Sequence, residues 1–342
     1  MKQRIAVIGA GAIGGVTAAW MAKAGEDVTL VCKHEEIAEA ASGKGLHVTG
    51  RRGEAWVRMK AVKEIEDTDG VFDLCLIATK AYDMPEAARK MLPRLKEDAL
   101  VVSMQNGICT DDLAAEVGRG RTVGCVIGWG ATMHGPAEVE MTSGGGFVIG
   151  MLDGRSSQRI QALKAALETV APTRISEDIY GELYSKLIVN ACITSLGAVC
   201  GLRLGEMMAR RDARRIFLAV IGEAVAVAEK LDLRVPPYGG KLDYFRLMRG
   251  SGPLDRLRRH LTIRLVGLRY ARLKSSSLQS LEQGKPTEVD AFNGYIASRG
   301  REAEVPCPVC ERLVVMVKEI ERGKREITVN NLQDPVFAAL RD

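Results

Sequence analysis

Three groups of residues in this chain have types and spacings that could do chemistry. The first is Gly9, Gly11 and Gly14, which give G-x-G-x-x-G directly after the apolar run Ile5–Ile8. In that position the first glycine permits a tight turn, the second lets the backbone approach a pyrophosphate, and the third lets helix and strand pack closely. A helix opening there turns unpaired N–H groups and a positive dipole end toward phosphates, with Ala10, Ala12 and Ile13 completing the cradle. Lys33 closes the next strand-like run, in VTLVCKHEE, where dinucleotide domains that hold a ribose 2′-hydroxyl usually carry an acid. A cation there suits a 2′-phosphate. The competing reading makes Lys33 a solvated lysine and lets Glu35 reach the ribose.

The second group lies at strand ends, where open α/β sheets bind ligands. Lys80 follows LCLIAT, and Asn106 follows LVVSM inside Gln105-Asn106-Gly107. An Asn-Gly pair is also ordinary turn chemistry, since both residues tolerate positive φ. The third group is Lys186, Asn190 and Thr194, four residues apart, which make one polar stripe on an otherwise apolar helix. Desolvation would lower the lysine pKa and make its ammonium a general acid for a developing alkoxide. Alternatively, Lys186 snorkels to water and Asn190 is hydrogen-bonded structurally. Farther on, Ser275–Ser277 interrupt a helical pattern, and Glu288 and Asn293 bracket a helix start beyond Pro286. Taken alone, Glu288 reads as complementing a helix dipole.

The elements that must position these residues follow from periodicity. Runs at 4–8, 27–32, 74–78, 100–103 and 122–127 read as buried strands, alternating with helices at 12–24, 35–41, 84–92 and 110–117. That alternation predicts a doubly wound parallel sheet. Shorter β runs fit 46–49 and 55–60, and the Gly-rich segment 129–151 reads as added strands at one sheet edge. From about Ile179 the chain reads as helical, with helices expected at 179–197, 205–230, 254–283, 289–300 and 308–322.

Length, composition and charge narrow the class. The 342 residues suit two domains, and 46% apolar with 27% charged is ordinary for a soluble protein. A net charge of +5 is compatible with an anionic ligand without calling for nucleic acid or membrane. The apolar run after Met1 is too short for a signal peptide, and the apolar stretch 187–202 reads as a buried helix. A cytoplasmic protein with reduced, buried cysteines is expected. Cys307 and Cys310 form a CxxC without the second pair of a structural zinc site; with Pro308 in a first turn, it reads as a helix start, and no metal is expected. Between Lys241 and Lys274 ten Lys or Arg stand against two Asp, without the interleaved aromatics of a nucleic-acid platform. This stretch reads as a solvated helix face, with an anionic-substrate contact or a homodimer contact as its other roles.

In order along the chain, GAGAIG, TKAYD, QNG, K-x-x-x-N and SS-x-x-Q followed by TEVDAFNGYI resemble the ketopantoate reductase family over nearly the whole length, Gly9 to about Arg322. The resemblance implies a Rossmann-type doubly wound N-terminal domain over 1–177, an all-α substrate domain over 178–330 and a tail from 331 to 342. It implies NADPH-dependent reduction of 2-dehydropantoate to (R)-pantoate. Lys186 matches the family's catalytic lysine and Glu288 the acid that helps orient it. Asn106, Asn190 and Ser276 match substrate contacts, and Lys80 and Lys33 match cofactor-site positions. There are departures: Thr194 stands where a second Asn is common, Ser280 where Asp often follows the Gln, and roughly 236–274 exceeds the compact family pattern. Thr194 therefore belongs among the expected substrate contacts as the position that alters them. Another branched or aryl 2-oxo acid, as in D-mandelate-type dehydrogenases, is the alternative substrate.

Overall fold

The computed structural model describes residues 2–340, and the chain divides into compact units of residues 1–183 and 184–342. The first unit runs β1 (Arg4–Ile8), α1 (Ala12–Lys23), β2 (Asp27–Val31), α2 (Glu35–Ser42), β3 (Leu46–Gly50), β4 (Ala55–Val57), β5 (Lys60–Val62), β6 (Phe72–Ile77), α3 (Met84–Met91), β7 (Leu95–Ser103) and α4 (Thr110–Val117). It continues with β8 (Thr122–Ile127), β9 (Ala131–Gly135), β10 (Glu138–Met141), β11 (Phe147–Met151), α5 (Gln158–Glu168) and β12 (Thr173–Ile175), and includes the first turn of α6 (Ile179–Cys200).

The main sheet has the order β12-β11-β8-β7-β6-β1-β2-β5. From β5 through β8 all pairings are parallel, while β11 joins β8 antiparallel. β1 is the first strand, with β2 on one side and β6 on the other, so the order reverses there. The cleft at the carboxyl ends of β1 and β6 is the place such sheets bind ligands. Both faces of the sheet are covered, which is why its strands are continuous apolar runs. In β1, Ile5 and Val7 enter one core, while Ala6 and Ile8 enter the other with α3 and α4 residues.

The segment 129–151 divides. β11 joins the main sheet beside β8, one strand in from the edge strand β12, while β9 and β10 leave that sheet. They join β3 and β4 in a second sheet, β4-β3-β10-β9, in which β10 pairs parallel with β3. The run 55–60 also splits, β4 going to the second sheet and β5 to the edge of the first. The physical reason is α1, whose residues Gly14–Met21 are all buried. A helix apolar all round needs cover on its outer face. The second sheet packs there, with Val139 and Leu46 against Gly15.

The second unit holds the rest of α6, then α7 (Leu204–Ala209), α8 (Arg211–Lys230), α9 (Tyr244–Met248), α10 (Pro253–Arg269), α11 (Ser276–Glu282), α12 (Asn293–Glu302), α13 (Pro308–Glu321) and α14 (Pro335–Ala338). Three expected helices are interrupted. The expected 205–230 helix breaks at Arg210, which is extended and grips Asp212. The 254–283 helix stops at Arg269 and restarts where the Ser275 hydroxyl accepts from the Leu278 N–H, because serine favours a cap over a helix interior. At 289–291 a 3-10 turn precedes α12. The units part inside α6 rather than at 177, since Ile179 and Leu183 pack against Gly124 of β8. Residues 331–340 are not a loose tail: Asn331 is buried and donates to the Val199 carbonyl at 2.8 Å, and Arg312 pairs with Asp334 at 2.7 Å. Arg341 and Asp342 lie outside the described residues.

α6 is long and apolar enough to cross a membrane by length and composition, but 83% of its most apolar window is buried inside the protein. It is a core helix, as its sequence suggested.

Candidate functional site

The glycine turn joins β1 to α1, and its three glycines do three different things. Gly9 has φ +104°, and a Cβ there would lie 2.9 Å from the carbonyl carbon of Ala78, just beyond β6. A Cβ on Gly14 would overlap the Gly9 carbonyl oxygen. Both glycines are therefore demanded by the protein's own packing. Gly11 is different, since a Cβ there would meet nothing within 4 Å. No internal contact calls for glycine at 11; an occupant approaching the backbone would. The N-terminus of α1 has no side-chain cap and no acid in its first turn, whereas α2 and α4 each start with two acids. An open cradle at an uncapped, acid-free helix start fits an anionic group such as a pyrophosphate.

Around this turn the strand ends supply polar groups. Lys33 is exposed just past β2 and pairs with no carboxylate among the described residues. Glu35 lies in the first turn of α2 and is 3.9 Å from Lys63, so an acid–base partner is already beside it. Cys32 is buried against the Val62 carbonyl, and burial pushes its thiol up to about 11. Lys80 is exposed past β6, and Asn106 is half-buried past β7 with its side-chain amide making no hydrogen bond among the described residues. Gly107 has φ +87°, as the turn reading of Asn-Gly requires.

Gln105, which the sequence showed only as part of the QNG run, holds these loops in place. Its side chain is buried, accepts from the Ser103 hydroxyl at 2.7 Å, and donates to the carbonyls of Ile77 at 2.8 Å and Thr79 at 3.2 Å. It thus ties the end of β7 to the end of β6, on either side of Asn106 and Lys80. Nothing local in the sequence signals the tie to β6, because the two carbonyls that accept from its amide lie 26 and 28 residues away.

In the second unit, Lys186 and Asn190 are half-buried on α6 and Thr194 is buried. The Asn190 amide makes no hydrogen bond among the described residues, so it is available to an incoming polar group. Thr194 is different, because its hydroxyl donates to the Asn190 carbonyl at 2.7 Å. The turn that carries Lys186 is fixed from outside. The Tyr184 hydroxyl donates to the Ala224 carbonyl at 2.9 Å, the Ser185 hydroxyl to the Pro236 carbonyl at 2.8 Å, and the Tyr244 hydroxyl to the Ser185 carbonyl at 2.8 Å. Part of the 236–274 stretch is therefore a brace for α6 rather than a solvated face.

The serine run divides as well. Ser275 is buried and donates to the Thr194 carbonyl at 3.3 Å, whereas Ser276 is exposed at the start of α11 with its hydroxyl unengaged among the described residues. Glu288 is half-buried directly before the 289–291 turn. The capping role at this point falls to Thr287, whose hydroxyl oxygen accepts from the Val289 N–H at 3.3 Å while its own N–H and hydroxyl donate to Glu321, at 2.8 and 2.7 Å. Asn293 is fully buried, accepts from the Ser195 hydroxyl and faces the Cys310 sulfur, so its work is internal.

The CxxC is internal too. Glu223 of α8 accepts from the N–H groups of Val309 and Cys310 at 2.7 and 2.9 Å, capping α13 across the unit. Burial holds the Cys310 thiol well above its usual range and pushes Cys307 up to about 12, the behaviour of packed rather than reactive thiols. Among the described residues no three His, Cys, Asp or Glu side chains converge as a metal site would require.

A family model described as Ketopantoate reductase PanE/ApbA matches residues 5–154, and one described as Ketopantoate reductase PanE/ApbA C terminal matches residues 178–321. The chain is 28% identical over 322 residues to the 2-dehydropantoate 2-reductase of Archaeoglobus fulgidus, covering 94% of this chain and 99% of that one. With the 2-dehydropantoate 2-reductase of Aquifex aeolicus it shares 26% over 325 residues, covering 94% and 98%. Among solved structures, a PanE/ApbA family ketopantoate reductase from Ralstonia eutropha JMP134 matches with a TM-score of 0.81 at 28% identity, over 94% of this chain and 99% of that chain. A D-mandelate dehydrogenase with NADH and anilino(oxo)acetate matches with a TM-score of 0.80 over the same shares, at 20% identity, a likeness of fold.

Proposed function

The chain belongs to the ketopantoate reductase family and is an oxidoreductase of the nicotinamide-dependent kind, and from that premise we propose that it reduces 2-dehydropantoate to (R)-pantoate with NADPH, on the route to pantothenate and coenzyme A. The observation that carries this reading is the open Gly11 cradle in the 5–154 match together with the Lys186–Asn190 stripe in the 178–321 match.

The backbone from Gly9 to Gly14 holds the pyrophosphate at the start of α1, with Ala10, Ala12 and Ile13 supplying the intervening N–H groups. Lys33 takes the 2′-phosphate, and Lys80 and Asn106 complete the cofactor contacts. A nicotinamide cofactor held there would supply the hydride that reduces the ketone. Lys186 donates a proton from its ammonium to the ketone oxygen, which becomes the hydroxyl of the product. Glu288 orients Lys186 and the substrate. The amides of Asn106 and Asn190 and the hydroxyl of Ser276 take up the remaining polar groups of the 2-oxo acid, and Thr194 shapes the position beside Asn190.

Thr194 also favours a second reading. Its hydroxyl proton is already given to the Asn190 carbonyl, so this position offers no amide to a substrate hydroxyl. A 2-oxo acid without the hydroxymethyl of 2-dehydropantoate, branched or aryl, would then be reduced better. Measured kcat/KM for 2-dehydropantoate, 2-oxoisovalerate and benzoylformate, each with NADPH and NADH, decides between them. We expect 2-dehydropantoate with NADPH to be best, and the leading reading is lost if it is the poorest of the three acids.

The cofactor assignment has its own test. Lys33→Ala removes a charge-assisted contact worth about 1.5–3 kcal/mol, so the Kd for NADPH should rise by roughly ten- to a hundredfold. The Kd for NADH should move less than about twofold. Equal losses for the two cofactors would assign the 2′-phosphate to another residue.

A further inference from the structure

We infer that the outer face of α10 is a two-fold docking surface for a second copy of this chain, pairing the two α10 helices antiparallel about Leu261. This surface does not depend on which 2-oxo acid is reduced. Leu254, Leu257, Leu261, Leu265 and Leu268 are 82%, 56%, 49%, 65% and 66% exposed, all on one helix. At 3.6 residues per turn they fall within one narrow stripe. The opposite side of α10 is packed, with Ile263 and Gly267 buried and Gly267 pressed on Met208 of α7.

The spacing points to the occupant. The leucines are separated by steps of 3, 4, 4 and 3, so the stripe reads identically from either end. A two-fold contact brings the same patch of both subunits together, residue i meeting j and j meeting i. About Leu261, Leu254 of one copy meets Leu268 of the other, Leu257 meets Leu265, and Leu261 meets itself. A lipid surface or an unrelated partner would place no such symmetry on the sequence.

The area agrees with a reversible dimer. The five leucines together expose the equivalent of about three whole side chains. At on the order of 100 Å² of apolar surface per leucine, and with apolar atoms making up about 65% of a homodimer contact, the pair buries roughly 900 Å². Tyr270 and Leu273, 50% and 39% exposed just past the helix, carry the contact to about 1,000 Å². That area lies at the low end for a specific contact, the range of transient, concentration-dependent association. Two of the basic side chains on this helix are turned off the stripe, while the exposed Arg264 flanks it. Arg258 donates to the carbonyls of Arg246, Leu247 and Arg249, and Arg259 to those of Leu247 and Met248, so both are turned onto the end of α9.

Sedimentation velocity on the full chain from low micromolar to about 200 μM should show a monomer–dimer equilibrium. Leu261→Arg, which sets a charge against its own copy, should weaken it at least tenfold with an unchanged melting temperature. Cysteine pairs then test the geometry, since the eight native thiols are buried and a new surface thiol reacts alone. With a short bis-maleimide, Leu261→Cys should cross-link to itself, and Leu254→Cys should cross-link to Leu268→Cys in a mixture far better than either does alone. A chain monomeric throughout the range, Leu254→Cys cross-linking to itself as well as to Leu268→Cys, or a monomer captured by anionic vesicles would each overturn the inference.

Discussion

Replacing Lys186 by alanine should lower kcat by about 100- to 10,000-fold, the usual contribution of a positioned general acid, while the Kd for NADPH changes less than about twofold. The separation follows from where the residue sits. Lys186 is on α6 in the helical unit, and the phosphate cradle is built from β1 and α1 in the other. The fold should tolerate the change, because alanine is the strongest helix former and Lys186 is only half-buried. The braces from Tyr184, Ser185 and Tyr244 stay in place. Steady-state rates with each 2-oxo acid, read beside fluorescence titration of NADPH, check the result. Lys186→Arg is the companion variant: it keeps a positive charge but holds its proton too tightly to donate it. It should therefore recover substrate KM without recovering kcat. A Lys186→Ala enzyme within about tenfold of normal turnover would end the general-acid assignment.

The second large effect separates two glycines three residues apart. Gly14→Ala drives a Cβ into the Gly9 carbonyl oxygen, and both sides of that contact are backbone. Overpacking of this kind costs about 3 kcal/mol, which for a unit of this size lowers Tm by roughly 6–12 °C. Gly11→Ala meets no atom within 4 Å, so Tm should hold within what about 0.5 kcal/mol would move. Its added methyl occupies the space through which a pyrophosphate would approach, so NADPH affinity should fall at least tenfold, about 1.4 kcal/mol. Thermal melts without and with NADPH give both readings at once. If Gly11→Ala binds NADPH normally, the cradle does not hold the dinucleotide in the proposed way.

Much of the first unit was legible because its signals are local. The strand, glycines, helix and second strand fall within about thirty consecutive residues, and each rule used there concerns neighbours. The second sheet was not legible, because β10 pairs with β3 across some ninety residues and no short window records that partner. The tying role of Gln105 is not legible for the same reason, its amide being bound to distant carbonyls. In the helical unit the period showed which segments coil but not where they stop. Arg210, Tyr270–Ser275 and Phe292 break helices by capping and turning rather than by proline or glycine. The basic stretch shows the limit of counting charge: ten cations were conspicuous, yet two of them bind carbonyls and the leucines between them face outward.

The cover over α1 has a consequence for how the chain is made. Its outer face is closed by strands that include β9 and β10, so the helix is finished only after Met141 has been synthesised. At the usual pace of a ribosome, α1 waits on the order of ten seconds with apolar surface bare after its own last residue is added. During that interval the nascent chain has the glycine turn but not the rigid support behind it. A factor that binds bare apolar helix surface therefore has its opportunity at α1 before Met141 has been added.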